Sequence, residues 1–471
     1  MKSDAKRSVL WSGIQNVANQ GIHFIITIII ARLLTPEDYG LVAMLSIFFG
    51  LAQAFIDSGL HGALIQKKNC TDKDYNSVFV FSIVVSCILY SMFFCCAPLI
   101  ARLYKNDLLV NLSRVYLLSL VINAVGIVPM AIIQKELKFK QFAFVTTAIN
   151  IISGIIAIIA AYCGFAYWAL VLQILITSSL STIAYYFITK WKPSFSFSFD
   201  SFKSMISYGF PVMLTSVVGA IYNNLYSLVI GAKYNSKELG LYNRAYSFAS
   251  VVPNTFSNFT MRAMFPVLSK VQDNKEVLKR KVLDMLHLSL YVVVPINMYL
   301  IFNGLGVVKV FLGDKWLELA PYLSILCISC ISYVYVNIHI TTFKVIGNTK
   351  TLFYSDLLRK ILGFMVMIIT VPYGVMVMVY GLLVFSIADV LISATFLNTN
   401  LKVGVVNQIK ESFTPFLFSG VSGVLSWLAI MPLNNIYIRF ILSLIVFACV
   451  YASLSLLFKE RGISFLKNYF K

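Results

Sequence analysis

Apolar runs of about 20 residues, the length a helix needs to cross a bilayer core, recur along the chain with short polar breaks between them. They fall near 10–33, 39–60, 77–99, 111–133, 143–163, 167–189, 207–230, 240–263, 283–303, 318–341, 353–372, 374–398, 412–431 and 437–458, which predicts an all-α integral membrane protein of about 14 transmembrane helices. One polar break, Ala31-Arg32-Leu33-Leu34-Thr35-Pro36-Glu37-Asp38-Tyr39-Gly40-Leu41, returns in weaker form 200 residues later, from Gly231 to Leu241. In that register Asp38 meets Glu238, Gly40 meets Gly240 and Leu41 meets Leu241. Both breaks carry a helix-start signal, Thr35 ahead of Pro36-Glu37-Asp38 and Ser236 ahead of Glu238. The run before each break has a polar or small face: Asn16, Asn19, His23 and Thr27 in the first, Ser216, Gly219, Asn223 and Ser227 in the second. In a membrane such a stripe must face protein or water rather than lipid.

The recurrence predicts a duplicated architecture. Six spans per repeat is an even number, so the two halves share one orientation and are parallel repeats. The expected organisation is an N-lobe over residues 1–200, a C-lobe over 201–400, and a final pair of spans with a tail over 401–471. The segment Lys190–Lys203, with Pro193 and alternating Ser and Phe from Ser194 to Phe199, is the natural linker between the lobes. It is read as a loop lying on the lipid headgroups rather than as a strand.

With 59% hydrophobic residues, 12% charged residues and a mean hydropathy of +0.83 over 471 residues, the chain is too greasy for a soluble globule. A net charge of +19 would point to nucleic acid in a soluble protein, but here the distribution gives another answer. With the N-terminus inside, 25 Lys and Arg fall in inside segments and 7 in outside segments, so both termini are expected in the cytoplasm and no nucleic-acid partner is implied. The eight Cys sit mostly inside apolar runs and read as small packing residues; Cys327 and Cys330 lack a companion His or Cys cluster, so no metal site is expected. There is no Gly-rich phosphate loop, no Walker motif and no loop large enough for a catalytic domain, which excludes an ATPase and leaves no catalytic residues to name.

Intramembrane polar residues each ask for a reason, since a charge at a helix centre costs about 2.5–3.5 kcal/mol on insertion scales. The eighth run places Arg244, Ser247, Asn254, Asn258 and Arg262 on one helical face. Its two Arg are 18 residues apart, which is about 27 Å of helix. Two readings stand side by side: a polar lane with a guanidinium at each mouth, suited to a diphosphate, or two Arg that snorkel to the headgroup layers. Asn223 on the seventh run extends the polar lining. Asp356, Arg359 and Lys360 fall one turn apart, as a local ion pair or as part of an anion site. Asp389 sits in mid-span and is either protonated, paired with a cation, or a ligand of a coupling ion. Asp57, in Asp57-Ser58-Gly59-Leu60, and His23 are two further ion-coupling candidates, each with a plainer reading as a helix cap or a packing residue.

Ala31–Leu41, Asp57-Ser58-Gly59-Leu60, the segment Pro129-Met130-Ala131-Ile132-Ile133-Gln134-Lys135-Glu136-Leu137-Lys138-Phe139-Lys140, Gly240-Leu241-Tyr242-Asn243-Arg244-Ala245, Phe265-Pro266-Val267-Leu268-Ser269 and Leu312-Gly313-Asp314-Lys315-Trp316 together resemble the polysaccharide-repeat (Wzx-type) flippases of the MOP exporter superfamily. The resemblance implies two six-helix lobes around a central cavity, alternating between inward- and outward-facing states, with two peripheral helices. It implies flipping of undecaprenyl-diphosphate-linked oligosaccharides across a bacterial plasma membrane for surface polysaccharide synthesis, cationic residues on the diphosphate, and a polymerase as a partner. Of the cationic candidates, only Arg244 lies inside a matched motif, and Arg262 sits just ahead of the Phe265-Pro266 segment. No cofactor is implied beyond H+ or Na+ coupling. A multidrug cation antiporter of the same superfamily and a membrane glycosyltransferase using the same lipid donor remain as alternatives. The first would prefer acidic cavity residues and the second a large outer loop.

Overall fold

The structure, a computed structural model, describes residues 20–462 apart from the side chains of Phe259, Arg262 and Ala263. Asn16 and Asn19 of the polar stripe, and the side chain of Arg262, therefore lie outside the described residues. Helices carry nearly all of the described chain, and none of it is strand. The chain packs as two compact units, Met1–Gly240 and Leu241–Lys471.

The first unit contains α1 (Gln20–Leu33), α2 (Pro36–Asp57), α3 (Leu60–Gln66), α4 (Asp72–Tyr104), α5 (Leu108–Tyr116), α6 (Leu118–Lys135), α7 (Phe139–Tyr162), α8 (Trp168–Thr189) and α9 (Phe199–Lys233). The Thr35 signal is real: its side chain and that of Asp38 cap one another's backbone, with Pro36 at the first turn. The second break differs by one residue from the expectation. Asn235, not Ser236, caps α10 (Ser236–Ser269) by accepting from the Glu238 N–H at 2.9 Å. An Asn side chain reaches the third amide as Thr35 does, and Asn235 is the position that falls in register with Thr35.

The duplicated breaks touch each other inside this unit. A Cβ on Gly40 would fall on the backbone oxygen of Ser236, and a Cβ on Gly240 would fall on the backbone oxygen of Pro36. Positions 36, 40, 236 and 240 thus form a reciprocal crossing in which two helix starts lie backbone to backbone. Only glycine permits that approach. A second glycine contact joins the α2–α3 break to α9. Ser58 and Gly59 both take left-handed backbone conformations (φ 44° and 65°), and a Cβ on Gly59 would collide with the Gly209 oxygen.

The linker between α8 and α9 is extended and pinned to the start of α4. Ser194 N–H donates to Asn76 Oδ1 at 3.0 Å, Asn76 Nδ2 donates to Ser196 Oγ at 3.2 Å, and Ser198 N–H donates to Ser77 Oγ at 2.9 Å. The Ser–Phe alternation has this cause: in an extended chain alternate residues face opposite ways, so the serines bond α4 while Phe195, Phe197 and Phe199 remain exposed.

The second unit holds most of α10, then α11 (Lys275–Phe311), α12 (Leu319–Ile346), α13 (Thr349–Thr370), α14 (Val375–Leu401), α15 (Val405–Ile430) and α16 (Ile436–Leu457). Its core gathers Leu278, Met285, Leu290 and Val294 of α11 with Ile331, Val334 and Ile338 of α12 and Leu397 of α14. The final pair, α15 and α16, is tied to α11 by Asn303 to Ser426 (3.1 Å) and Tyr299 to Ser443 (3.0 Å). On α16 the buried residues are Ser443, Phe447 and Ser455, whereas Ile438, Ile441, Leu444 and Ile445 are exposed. Small and polar inward with aliphatic outward is the pattern of a helix solvated by lipid.

Among the described residues, eleven helical stretches are long and apolar enough to cross a membrane. Three further helices do not meet that measure, each for a visible reason. The described part of α1 is short. Along α10 run Asn243, Arg244, Asn254 and Asn258, and α13 carries Lys350, Asp356, Arg359 and Lys360. Pro98, Pro129, Pro211, Pro253 and Pro295 all lie inside continuing helices.

Candidate functional site

Two expectations made separately, a cation at Arg359 and a buried acid at Asp389, meet in one ion pair. Both side chains are buried, and Arg359 Nη1 lies 3.2 Å from Asp389 Oδ1 across the α13–α14 interface. Arg359 Nη2 reaches Asp356 Oδ1 at 3.1 Å one turn earlier, and its Nε donates to the Ser355 oxygen at 3.2 Å. Lys360 Nζ lies 2.8 Å from Asp356 Oδ2. The cluster therefore holds two cations and two carboxylates. Sequence spacing finds Asp356 because it is on the same helix, but Asp389 is found only when α14 packs on α13.

The polar cluster extends by one helical turn along α14. Ser393 Oγ lies 2.9 Å from Nδ1 of His339 on α12, whose Nε2 is 3.0 Å from Gln408 Oε1 on α15; Gln408 Nε2 in turn donates to the Val403 oxygen at 3.3 Å. A neutral imidazole protonated on Nε2 satisfies both contacts. His339 shows no partner pattern in the sequence. The one usable signal is that Asp389 and Ser393, four apart, share a face of α14.

Arg244 is buried in the second unit with its guanidinium over the indole of Trp316, 5.9 Å from the ring centroid. Trp316 is itself fully buried, on the 3-10 turn Asp314–Trp316. This joins two of the motif segments, since Arg244 comes from Gly240–Ala245 and Trp316 from Leu312–Trp316. On the same helix Asn254 and Asn258 are exposed, while Ser250, Ser257 and Thr260 are buried. Asn223 on α9 and His23 on α1 are exposed in the first unit. There too Asp57 ends α2, four residues ahead of His61 on α3. His61 Nε2 lies 3.3 Å from Gln134 Oε1 on α6, and Asp57 Oδ1 is buried with no hydrogen-bond partner among the described residues. Along α15, an apolar groove of about 580 Å³ is lined by Phe413, Phe416, Leu417, Val421, Val424 and Leu425. No group of His, Cys, Asp and Glu among the described residues is arranged to hold a metal ion.

Apolar spans, glycine-mediated helix crossings and a buried charge pair between helices define a multi-pass helical membrane protein. The chain belongs to the polysaccharide biosynthesis protein family, which it matches over residues 29–321. It is similar to the teichuronic acid biosynthesis protein TuaB of Bacillus subtilis (24% identity over 379 residues, covering 80% of this chain and 78% of TuaB). It is similar also to the lipopolysaccharide biosynthesis protein WzxC of Escherichia coli (24% identity, 68% of this chain and 65% of WzxC), and to the succinoglycan biosynthesis transport protein ExoT of Rhizobium meliloti (22% identity, 75% and 72%). Among solved structures, the fold matches the inward closed conformation of the lipid II flippase MurJ with a TM-score of 0.79, over 96% of this chain and all of that one, at 18% identity. An inward-facing multidrug resistance MATE family transporter of the MOP superfamily matches with a TM-score of 0.63, over 81% and 95% of the two chains, at 17% identity. The Wzx-type resemblance read from the sequence is thus met by family, relatives and fold together.

Proposed function

We propose that this protein flips polyprenyl-diphosphate-linked oligosaccharide repeat units across a bacterial plasma membrane, with both termini in the cytoplasm. The observation that carries this reading is family membership combined with a fold shared end to end with a lipid II flippase. The physics is consistent with it. A polyprenyl tail is at home in lipid, whereas phosphate charges and sugar hydroxyls lose their hydration in the core, so unassisted crossing is extremely slow. A polar passage removes that cost for the head, and a lipid-exposed apolar face such as the α15 groove suits the tail.

In this reading the two repeats, residues 1–200 and 201–400, alternate access to the passage; Arg244, Arg262, Asn254 and Asn258 on α10 hold the diphosphate and its first sugars, and Asn223 adds to the polar lining of the first unit. Arg359 and Lys360, each already matched by a carboxylate, join by exchanging that carboxylate for a phosphate. Coupling to H+ is favoured over Na+, because Asp389 already has Arg359 as its cation, while the buried Asp57 Oδ1 beside His61 has room for a proton. A polymerase acting outside would consume the flipped unit.

The test uses purified protein in vesicles carrying a fluorescent polyprenyl-diphosphate oligosaccharide, with leaflet position read by a membrane-impermeant quencher. Translocation above the level of empty vesicles supports the proposal. Cleavage of the lipid donor without translocation, or exchange of cationic drugs for protons in its place, would reject it in favour of the glycosyltransferase or the antiporter.

A further inference from the structure

We infer that His287 and Glu460 form a pH-sensitive latch that holds the segment after α16 against α11. The His287 ring is buried, with Nε2 2.6 Å from Glu460 Oε1 and Nδ1 2.8 Å from the backbone oxygen of Glu411 at the start of α15. The Glu411 carboxylate lies a further step away, with Oε2 3.4 Å from Nδ1. The Glu411 oxygen can only accept, and so can an ionised Glu460. A neutral imidazole carries a single N–H, so both ring contacts exist together only while the His287–Glu460 pair holds one proton beyond neutral imidazole and carboxylate, as imidazolium with carboxylate or as imidazole with carboxylic acid.

The carboxylate is equally committed. Glu460 is buried, and its other oxygen accepts from the Gly462 N–H at 2.5 Å. Gly462 sits on the ring of Tyr291, where a Cβ would come within 2.5 Å of Tyr291 Cγ. Arg461 Nη1 lies 3.8 Å from Glu411 Oε1 and completes the layer. The charged groups that act on the His287 ring are Glu460 from the terminal segment and Glu411 from α15. Loss of the pair's extra proton leaves one acceptor facing another and a buried carboxylate without its cation. The latch is therefore closed at low pH and opens as pH rises through the imidazole range.

The consequence is local and directional. Glu411 and Arg461 also line a groove of about 810 Å³ together with Glu276, Lys279, Arg280 and Asp284, so releasing the segment that carries Arg461 removes part of the groove's wall. Its cytoplasmic placement rests on the orientation proposed above; the latch itself does not.

The experiment is hydrogen–deuterium exchange on the full-length protein in nanodiscs, at about pH 6 and about pH 9, on either side of the imidazole range. Peptides covering 405–415 and 455–462 are read after correction for the chemical exchange rate at each pH. Their exchange should rise by about tenfold or more at the higher pH in the native protein. His287→Ala should exchange fast at both. In Glu460→Gln the amide both donates and accepts, so these peptides should stay protected at both pH values. Equal protection of the native protein at both pH values, or an undiminished pH response in Glu460→Gln, overturns the latch. If His287→Ala also loses protection across α12, it is misfolded, and the native protein against Glu460→Gln decides the matter.

Discussion

The two units bury their polarity in different forms. In the first, buried polar residues are mostly hydroxyls that bond back to their own helix, such as Ser86 to the Ile83 oxygen (2.8 Å), Ser113 to the Val110 oxygen (3.1 Å) and Ser119 to the Tyr116 oxygen (2.6 Å). Its tightest contacts are glycine to backbone. The second buries such hydroxyls too, for example Ser329 to the Ile325 oxygen (3.1 Å), and adds the buried groups Arg359, Asp389, His339, His287 and Glu460, each with a partner on another helix or segment. A hydroxyl bonded to its own helix is indifferent to what packs against it. A buried charge is not, because separating it from its partner is expensive. Apart from Asp74, buried against Lys67 at 2.8 Å, the first unit accordingly relies on shape, while the second adds pairings that a proton or an anion is able to redistribute.

The largest expected effect tests shape in the first unit. Gly40→Val or Gly240→Val drives a branched side chain into a backbone oxygen that cannot swing aside, a harsher clash than ordinary core overpacking; no folded protein should be recovered by size-exclusion chromatography. Gly219→Ala, with nothing within 4 Å of its Cβ, should behave as native. Next comes pairing in the second unit. Asp389→Leu leaves Arg359 buried without its interhelical carboxylate and should cost about 3–5 kcal/mol in thermal unfolding, while the double variant Arg359→Met/Asp389→Leu should recover most of that. If the single and double variants are equally unstable, the pair is not what holds α13 to α14.

A smaller effect is expected at Arg244→Gln, which removes a cation from the Trp316 face worth about 0.5–2 kcal/mol; intrinsic tryptophan emission should shift as the indole environment changes. The smallest belongs to Asn76→Ala. It removes two hydrogen bonds that only tether the linker, so the loss opens that segment locally and is seen as faster proteolysis near Lys192 with little change in the melting temperature.

Much of this architecture is written in the chain at the level of period and length. Runs of 20 apolar residues have one interpretation, and the 200-residue recurrence puts Thr35 with Asn235 and Gly40 with Gly240 without any knowledge of their contact. The cap at Asn235 is missed by one position because Ser and Asn are equally good caps and the next residue also qualifies. Partners across helices are not legible. Nothing in the spacing of Arg359 points to Asp389, thirty residues on, and nothing around His339 or His287 points to Gln408 or Glu460. Local rules reach three or four residues along a helix, whereas pairing between helices is decided by packing.

Recognition of a diphosphate-linked saccharide by the cationic side chains of this chain is open to a transport comparison in vesicles. The native protein and Arg244→Gln/Arg262→Gln, matched for folded amount, are given a polyprenyl-diphosphate oligosaccharide or its neutral-headed analogue. The native protein should prefer the diphosphate, and the double variant should lose most of this preference, with flux down about tenfold, the equivalent of about 1.4 kcal/mol. Equal flux of both lipids through the native protein, or an unchanged preference in the double variant, would contradict cationic recognition.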